Sequence, residues 1–254
     1  MTAAFPHSLL PRLRASVQDS LTCQADTVQL ALEMHFAQRL GALRGLLACC
    51  LAESDAARNV GVALDLIHVS LQRLHLRLED GDGIPALLGT GACVLAGDYL
   101  TSAAFKVLIR CNDLAVLDQV ARTITRTCEA DNRTLADDPR GRSRARRRAA
   151  LDMALAGAAA EAGARLAGRP EWAPLARRLG RQLQAGQALN SLREHSNGAE
   201  AQAYGQRSQR ALTGAGRCAA LLDQRSGTER ATQLVAFVTH ALAQARPELP
   251  ATLA

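Results

Sequence analysis

Apolar positions recur at three- and four-residue steps along most of the chain, which is the period of a helix face. Over residues 27–52 the stripe runs through Leu30, Ala31, Met34, Ala37, Leu40, Leu43 and Leu47 and predicts one helix with a buried side. Over 55–79, Leu64, Ile67, Leu71, Leu74 and Leu78 keep the stripe, and Gly81-Asp82-Gly83 breaks it as a helix C-terminus does. Residues 85–110 are apolar nearly all round, so the expectation is a central helix buried on several sides. Further helices are predicted at 114–132, 146–167, 173–195, 199–222 and 227–246, separated by short turn-forming clusters. No repeat of fixed period and no long flexible linker interrupts the series. The expected organisation is a single domain over 1–254, with 1–25 and 247–254 as peripheral tails.

Composition narrows the fold class. The 254 residues are 48% hydrophobic, enough for a core, but only 3% aromatic. Alanine, leucine and arginine are abundant, and these favour helices while leaving little material for a sheet. An all-α helical bundle follows. The longest apolar stretches, such as residues 45–52, fall short of the ~20 residues a membrane span needs. The N-terminus has no basic region followed by an apolar run and a cleavage site, so a soluble, cytoplasmic protein is expected. The cysteines number seven, with no CxxC pair, which fits reduced core thiols better than disulfides or zinc. The net charge of +6 owes much to the run from Arg140 to Arg148. No aromatic residue interleaves with these arginines, so the run reads as a solvated loop or helix start and nucleic acid is not the expected partner.

Five segments in fixed order carry a more specific pattern. Asp65-Leu66-Ile67-His68 is followed by a stretch containing Gly97, Asp98, Leu100, Ala104 and Phe105. Residues 158–168, 175–194 and 227–242 complete the series. In this order the chain resembles the trans-prenyl (polyprenyl) diphosphate synthases over about residues 30–246. The resemblance implies a bundle of the isoprenoid synthase type. It also implies two aspartate-rich motifs on facing helices, which bind magnesium and hold an allylic diphosphate.

This chain departs from that pattern at the residues that do the chemistry. The first motif position holds His75, Leu76 and Glu79, and the second holds Asn190, Ser191 and Glu194. Hard divalent cations need several anionic oxygens, and each vestige keeps one acid. Of the cations expected ahead of the first motif only Arg44 remains, a candidate diphosphate ligand, and the family's Lys-Thr pair falls at Leu151-Asp152. No catalytic residue, metal ligand or cofactor is therefore assigned. His68, His75 and Glu79 share a helix face but lack a fourth ligand for zinc or iron. Asp98, inside an apolar helix, is expected to satisfy a buried partner, and Asp137-Asp138 ahead of Pro139 to form a turn or cap. The resemblance then implies a non-catalytic or weakly active subunit that pairs with a catalytic prenyl diphosphate synthase or with itself, in isoprenoid (quinone side chain) biosynthesis. The alternative is a divergent prenyltransferase that uses magnesium, an allylic diphosphate and isopentenyl diphosphate through Glu79, Glu194 and Arg44.

Overall fold

A computed structural model of the protein describes residues 5–21, 25–38, 40–75, 83–137 and 144–244, with side chains described for all but 83, 130–137 and 144–147. Eleven α-helices and no strand occur among the described residues, which is the expected all-α class. They are α1 (Leu10–Asp19), α2 (Asp26–Ala37), α3 (Leu43–Leu51), α4 (Asp55–Val69), α5 (Gly83–Leu88), α6 (Thr90–Ile109), α7 (Leu114–Asp137), α8 (Arg144–Leu166), α9 (Ala173–Glu194), α10 (Gly198–Ser226) and α11 (Arg230–Ala243).

Helix α4 is the one buried on several sides. Every residue from Val60 to Val69 is buried, and α1, α3, α6 and α8 pack around it. The expected central helix, residues 85–110, instead splits at Gly89, whose φ of 84° lies in the left-handed region open to glycine. Its longer part, α6, packs Cys93, Leu100, Ala104 and Leu108 inward but leaves Leu95 and Ile109 exposed. At 20 residues with mean hydropathy 1.5, α6 is long and apolar enough to cross a membrane, contrary to the expectation for the chain, and 44% of that window is buried in the bundle. The predicted helix at 27–52 is likewise two, because Gln38 is extended at ψ 135° and Gly41 packs directly against the carbonyl of His35.

Backbones meet where side chains are missing. A Cβ on Gly61 would lie 2.5 Å from the Cα of Gly45, so α4 and α3 touch main chain to main chain. Gly163 sits against the carbonyl of Ala48, joining α8 to α3, and Gly180 against the carbonyl of Ala156, joining α9 to α8. The other side of Gly45 is covered by Leu13 of α1. Leu13 and Val17 are 1% exposed, so the segment expected as a peripheral tail contributes a helix to the core. Its i, i+4 apolar pair is too short a pattern to stand out in sequence.

Ion pairs and caps finish the assembly. Glu161 of α8 is buried and accepts from Arg177 Nε of α9 at 2.6 Å and from Arg165 at 3.3 Å. Asp223 of α10 accepts from the backbone N–H groups of Ala231 and Thr232 and so caps α11 from outside. Between α8 and α9, a short 3-10 turn buries Trp172 to 9% exposure beneath the guanidinium of Arg169, 5.5 Å from its ring.

Two glycine substitutions test the packing. Gly61→Ala forces α4 away from α3 and is expected to cost about 1–3 kcal/mol. Gly216→Ala, in mid-α10 with nothing within 4 Å of its new methyl group, is expected to gain about 0.5–1 kcal/mol. Urea denaturation of the two variants against the parent chain reads both signs.

Candidate functional site

The contact of Gly61 with Gly45 draws α4 against the start of α3 and sets Asp65 beside Arg44. Arg44 Nε donates to Asp65 Oδ1 at 2.6 Å, and the backbone N–H of Gly45 donates to Oδ2 at 3.2 Å. Both side chains are almost fully buried, at 3% and 2% exposure. Arg44 also donates to the carbonyl of Gly41. The one cation that the sequence offers to a diphosphate is thus enclosed and bonded to a carboxylate. Its Nη1 is buried without a hydrogen-bond partner among the described residues, so a phosphate group would have to enter the interior to reach it.

One turn along α4, His68 Nε2 lies 2.8 Å from Asp152 Oδ1 of α8. His35 of α2, fully buried, completes the group: its ring is 5.2 Å from that of His68, and its Nε2 is 3.9 Å from Asp65 Oδ1. Burial, aided by the charges of His68, Arg44 and Arg73, pushes His35 well below the ordinary histidine range. Burial and Arg44 lower His68 to about 4 despite the opposing pull of Asp152. Burial raises Asp65 to about 6, while Arg44 and the Gly45 N–H hold it down. Two neutral imidazoles therefore sit among an arginine and two acids.

After Val69 the helix widens into a π-turn over Ser70–Leu74, where the lead-in to the first motif falls. Its groups bond outward to neighbouring helices, which supports the wide turn. Ser70 Oγ donates to the carbonyl of Gly97 on α6 at 2.8 Å and is 2.9 Å from Thr101 Oγ1. Gln72 Nε2 donates to the carbonyl of Arg148 on α8 at 2.9 Å. The Nε2 end of the His75 ring then lies against Gly97, where any side chain would clash, and its Nε2 is 3.5 Å from Asp98 Oδ1. Asp98 is 68% exposed, so its partner is a half-exposed imidazole on α6's outer side, and the expected buried partner is not what it meets. Leu76 and Glu79 lie outside the described residues, as do Asp138 and residues 140–143 of the arginine run.

On α9, Asn190 is buried and its Nδ2 donates to Glu194 Oε1 at 2.6 Å. Ser191 is exposed, and its carbonyl lies 2.8 Å from His195 Nδ1. Magnesium needs several oxygens left open to it. The described residues of the two vestiges supply one carboxylate, Glu194, already engaged by an amide. No group of three or more His, Cys, Asp or Glu placed to hold a metal occurs among the described residues. The described donors do not fit magnesium.

Sequence reasoning reached Arg44, Asp65 and His68 but missed His35, hidden in an apolar stripe, and the pairing of Asp152 with His68. It found Asp152 only as a departure from the family's pattern. The thiols of Cys49 and Cys50 are buried and pushed up to about 12 by desolvation, which leaves them unreactive core groups.

No family model matches this chain, and no curated protein matches it either. Solved structures do. Heptaprenyl diphosphate synthase from Staphylococcus aureus superposes with a TM-score of 0.66 at 11% identity, covering 96% of this chain and 99% of that one. An FPP/GFPP synthase from Zymomonas mobilis gives 0.67 at 15%, covering 93% and 98%. A polyprenyl synthase from Caulobacter crescentus, complexed with calcium and isoprenyl diphosphate, gives 0.58 at 20%, covering 93% and 88%. At such identities the likeness establishes the fold, which is that of the polyprenyl diphosphate synthases over nearly the whole chain.

The buried group predicts an acid-sensitive fold. An unfolded histidine takes its proton near pH 6.5. The folded His68 resists until about 4, and His35 resists likewise, so stability falls as pH drops across that window. Asp65 acts in the opposite sense between about 6 and its unfolded value of 3.8, but it is one group against two. Urea midpoints should decline from pH 6.5 to 4, and the double variant His35→Gln, His68→Gln should show a shallower decline. Asp65→Ala, which strands Arg44 in the interior, is expected to cost about 3–5 kcal/mol at pH 7.

Proposed function

We propose that this chain is a non-catalytic or weakly active polyprenyl diphosphate synthase-like subunit. It associates with a catalytic prenyl diphosphate synthase, or with a second copy of itself, and adjusts the activity, stability or product length of the assembly in isoprenoid (quinone side chain) biosynthesis. One observation carries this reading: the polar groups where substrate would bind are bonded to each other. Arg44 holds Asp65, His68 meets Asp152, and Asn190 holds Glu194. A cation-binding site has to keep like-charged oxygens close together with no internal partner, and it recovers that cost only when the metal arrives. Here Asp65, Asp152 and Glu194 each already have a neighbour, so a metal would first have to break existing bonds.

Association rests on a different part of the molecule. Leu87, Leu95, Ile109 and Leu114 are each more than 60% exposed on α5, α6 and α7. Apolar surface of this kind fits a helical interface, which requires burial and close packing but no catalytic residue. The three known structures described above supply the fold analogy, and a fold alone does not fix an activity.

Two measurements test the reading. With magnesium and labelled allylic and homoallylic diphosphates, the purified chain alone should give no turnover above the uncatalysed background. Turnover comparable to that of an intact prenyl synthase would overturn it in favour of a divergent transferase. When a prenyl synthase with both aspartate motifs is co-expressed, the two should co-purify, and Leu95→Glu with Ile109→Glu should weaken their Kd by at least about tenfold, or ~1.4 kcal/mol.

A further inference from the structure

Besides the Arg140–Arg148 run, one helical hairpin of this protein carries a strong positive excess. Between Ala173 and Leu222 there are seven arginines and two carboxylates, a net +5 out of the chain's +6. Both carboxylates are already engaged: Glu194 accepts from Asn190 and Glu200 from the Tyr204 hydroxyl. Arg177 pairs with Glu161. Arg178, Arg181, Arg207, Arg210 and Arg217 are exposed, and none of them forms a salt bridge among the described residues. A solvated helix face ordinarily mixes both signs, because like charges on neighbouring turns repel.

The two helices form a hairpin. Gln182 of α9 lies against Gly214 of α10, and Ser208 donates to the carbonyl of Gly186, so the two helices run antiparallel. Burial pushes the Cys218 thiol up, and the charges of Arg178 on α9 and Arg217 on α10 pull it down. Arg210 and Arg217 are seven residues apart, on the same face two turns and about 10.5 Å along the axis. A groove of about 330 Å³ runs between them, lined also by Gln206, Gln209 and Thr213.

We propose that this face of α10 docks an acidic α-helical segment of a protein partner, with carboxylates two helical turns apart seated on Arg210 and Arg217. Guanidinium forks match carboxylates in geometry, and the glutamine and threonine side chains of the groove can both donate and accept along a polypeptide. A single-stranded nucleic acid would call for aromatic side chains to stack on its bases, and none lines the groove. A lipid surface would call for several apolar anchors on the same stripe, where Gln206, Arg210, Thr213 and Arg217 are polar and Leu221 alone is a large exposed apolar residue. The inference concerns a surface separate from the α5–α7 face and stands whether or not the subunit reading holds.

The test uses the full chain and an acetylated 21-residue alanine-rich helix with glutamates at seven-residue spacing, labelled for fluorescence anisotropy. The peptide should bind at low salt and weaken as salt rises. Arg210→Glu with Arg217→Glu should weaken it at least about tenfold. The same double variant should bind a lysine version of the peptide that the parent chain does not. The control pair Arg110→Glu and Arg122→Glu makes the same net charge change on exposed positions elsewhere and should leave binding within about twofold. An equal loss in the control pair would reduce the effect to net charge and overturn the proposal. So would absence of binding, or tighter binding of duplex DNA or phosphatidylserine vesicles with the same dependence on Arg210 and Arg217. Circular dichroism of each variant separates a lost site from a lost fold.

Discussion

Helix backbones in direct contact govern this molecule. Where α4 crosses α3, no side chain intervenes between Gly61 and Gly45, and the same holds where α8 meets α3 and α9 meets α8. Close approach of this kind multiplies weak dispersion contacts and removes the need for bulky filler. A core can then be built from leucine, alanine and valine with very few aromatic rings, and the buried residues are largely of those types. It also fixes the height and rotation of α4 relative to its neighbours, because main chains cannot rearrange rotamers to absorb a shift.

That fixed placement decides the electrostatics of the interior. Asp65 can accept from a backbone amide of α3 only because the two helices touch, and the same contact brings Arg44 to it. The charges of the group are thereby compensated at short range in a medium of low dielectric, where an uncompensated one would be expensive. His35 and His68 remain neutral for the same reason. The carboxylates of this group are already paired, which is the opposite of what an electrostatic trap for metal must be, while both ring nitrogens of His35, Nη1 of Arg44 and Nδ1 of His68 are buried without a hydrogen-bond partner among the described residues.

The fold was legible because helical periodicity survives even where the residues are small, and because the order of five segments is hard to match by accident. The breaks were less legible. Nothing in residues 27–52 announces that Gln38 turns extended, and Gly89 reads as one more glycine in an apolar run until its φ is known. Asp98 shows the limit of composition as a guide: its neighbours in sequence are apolar, yet its side chain is exposed. Asn190 and Glu194 could be paired from their four-residue spacing alone, since that spacing stacks side chains on one helix face. His68 and Asp152 could not, being on separate helices that only the tertiary packing brings together.

Trp172 gives this molecule an intrinsic optical probe. It is the single indole in the chain, and it lies at the junction where α8 hands over to α9, shielded from water and covered by a guanidinium. Its emission therefore comes from one place and carries no average over the rest of the bundle. Loosening of the α8–α9 hairpin would wet the ring and shift its spectrum to the red, while events at the far end of α4 would leave the colour unchanged.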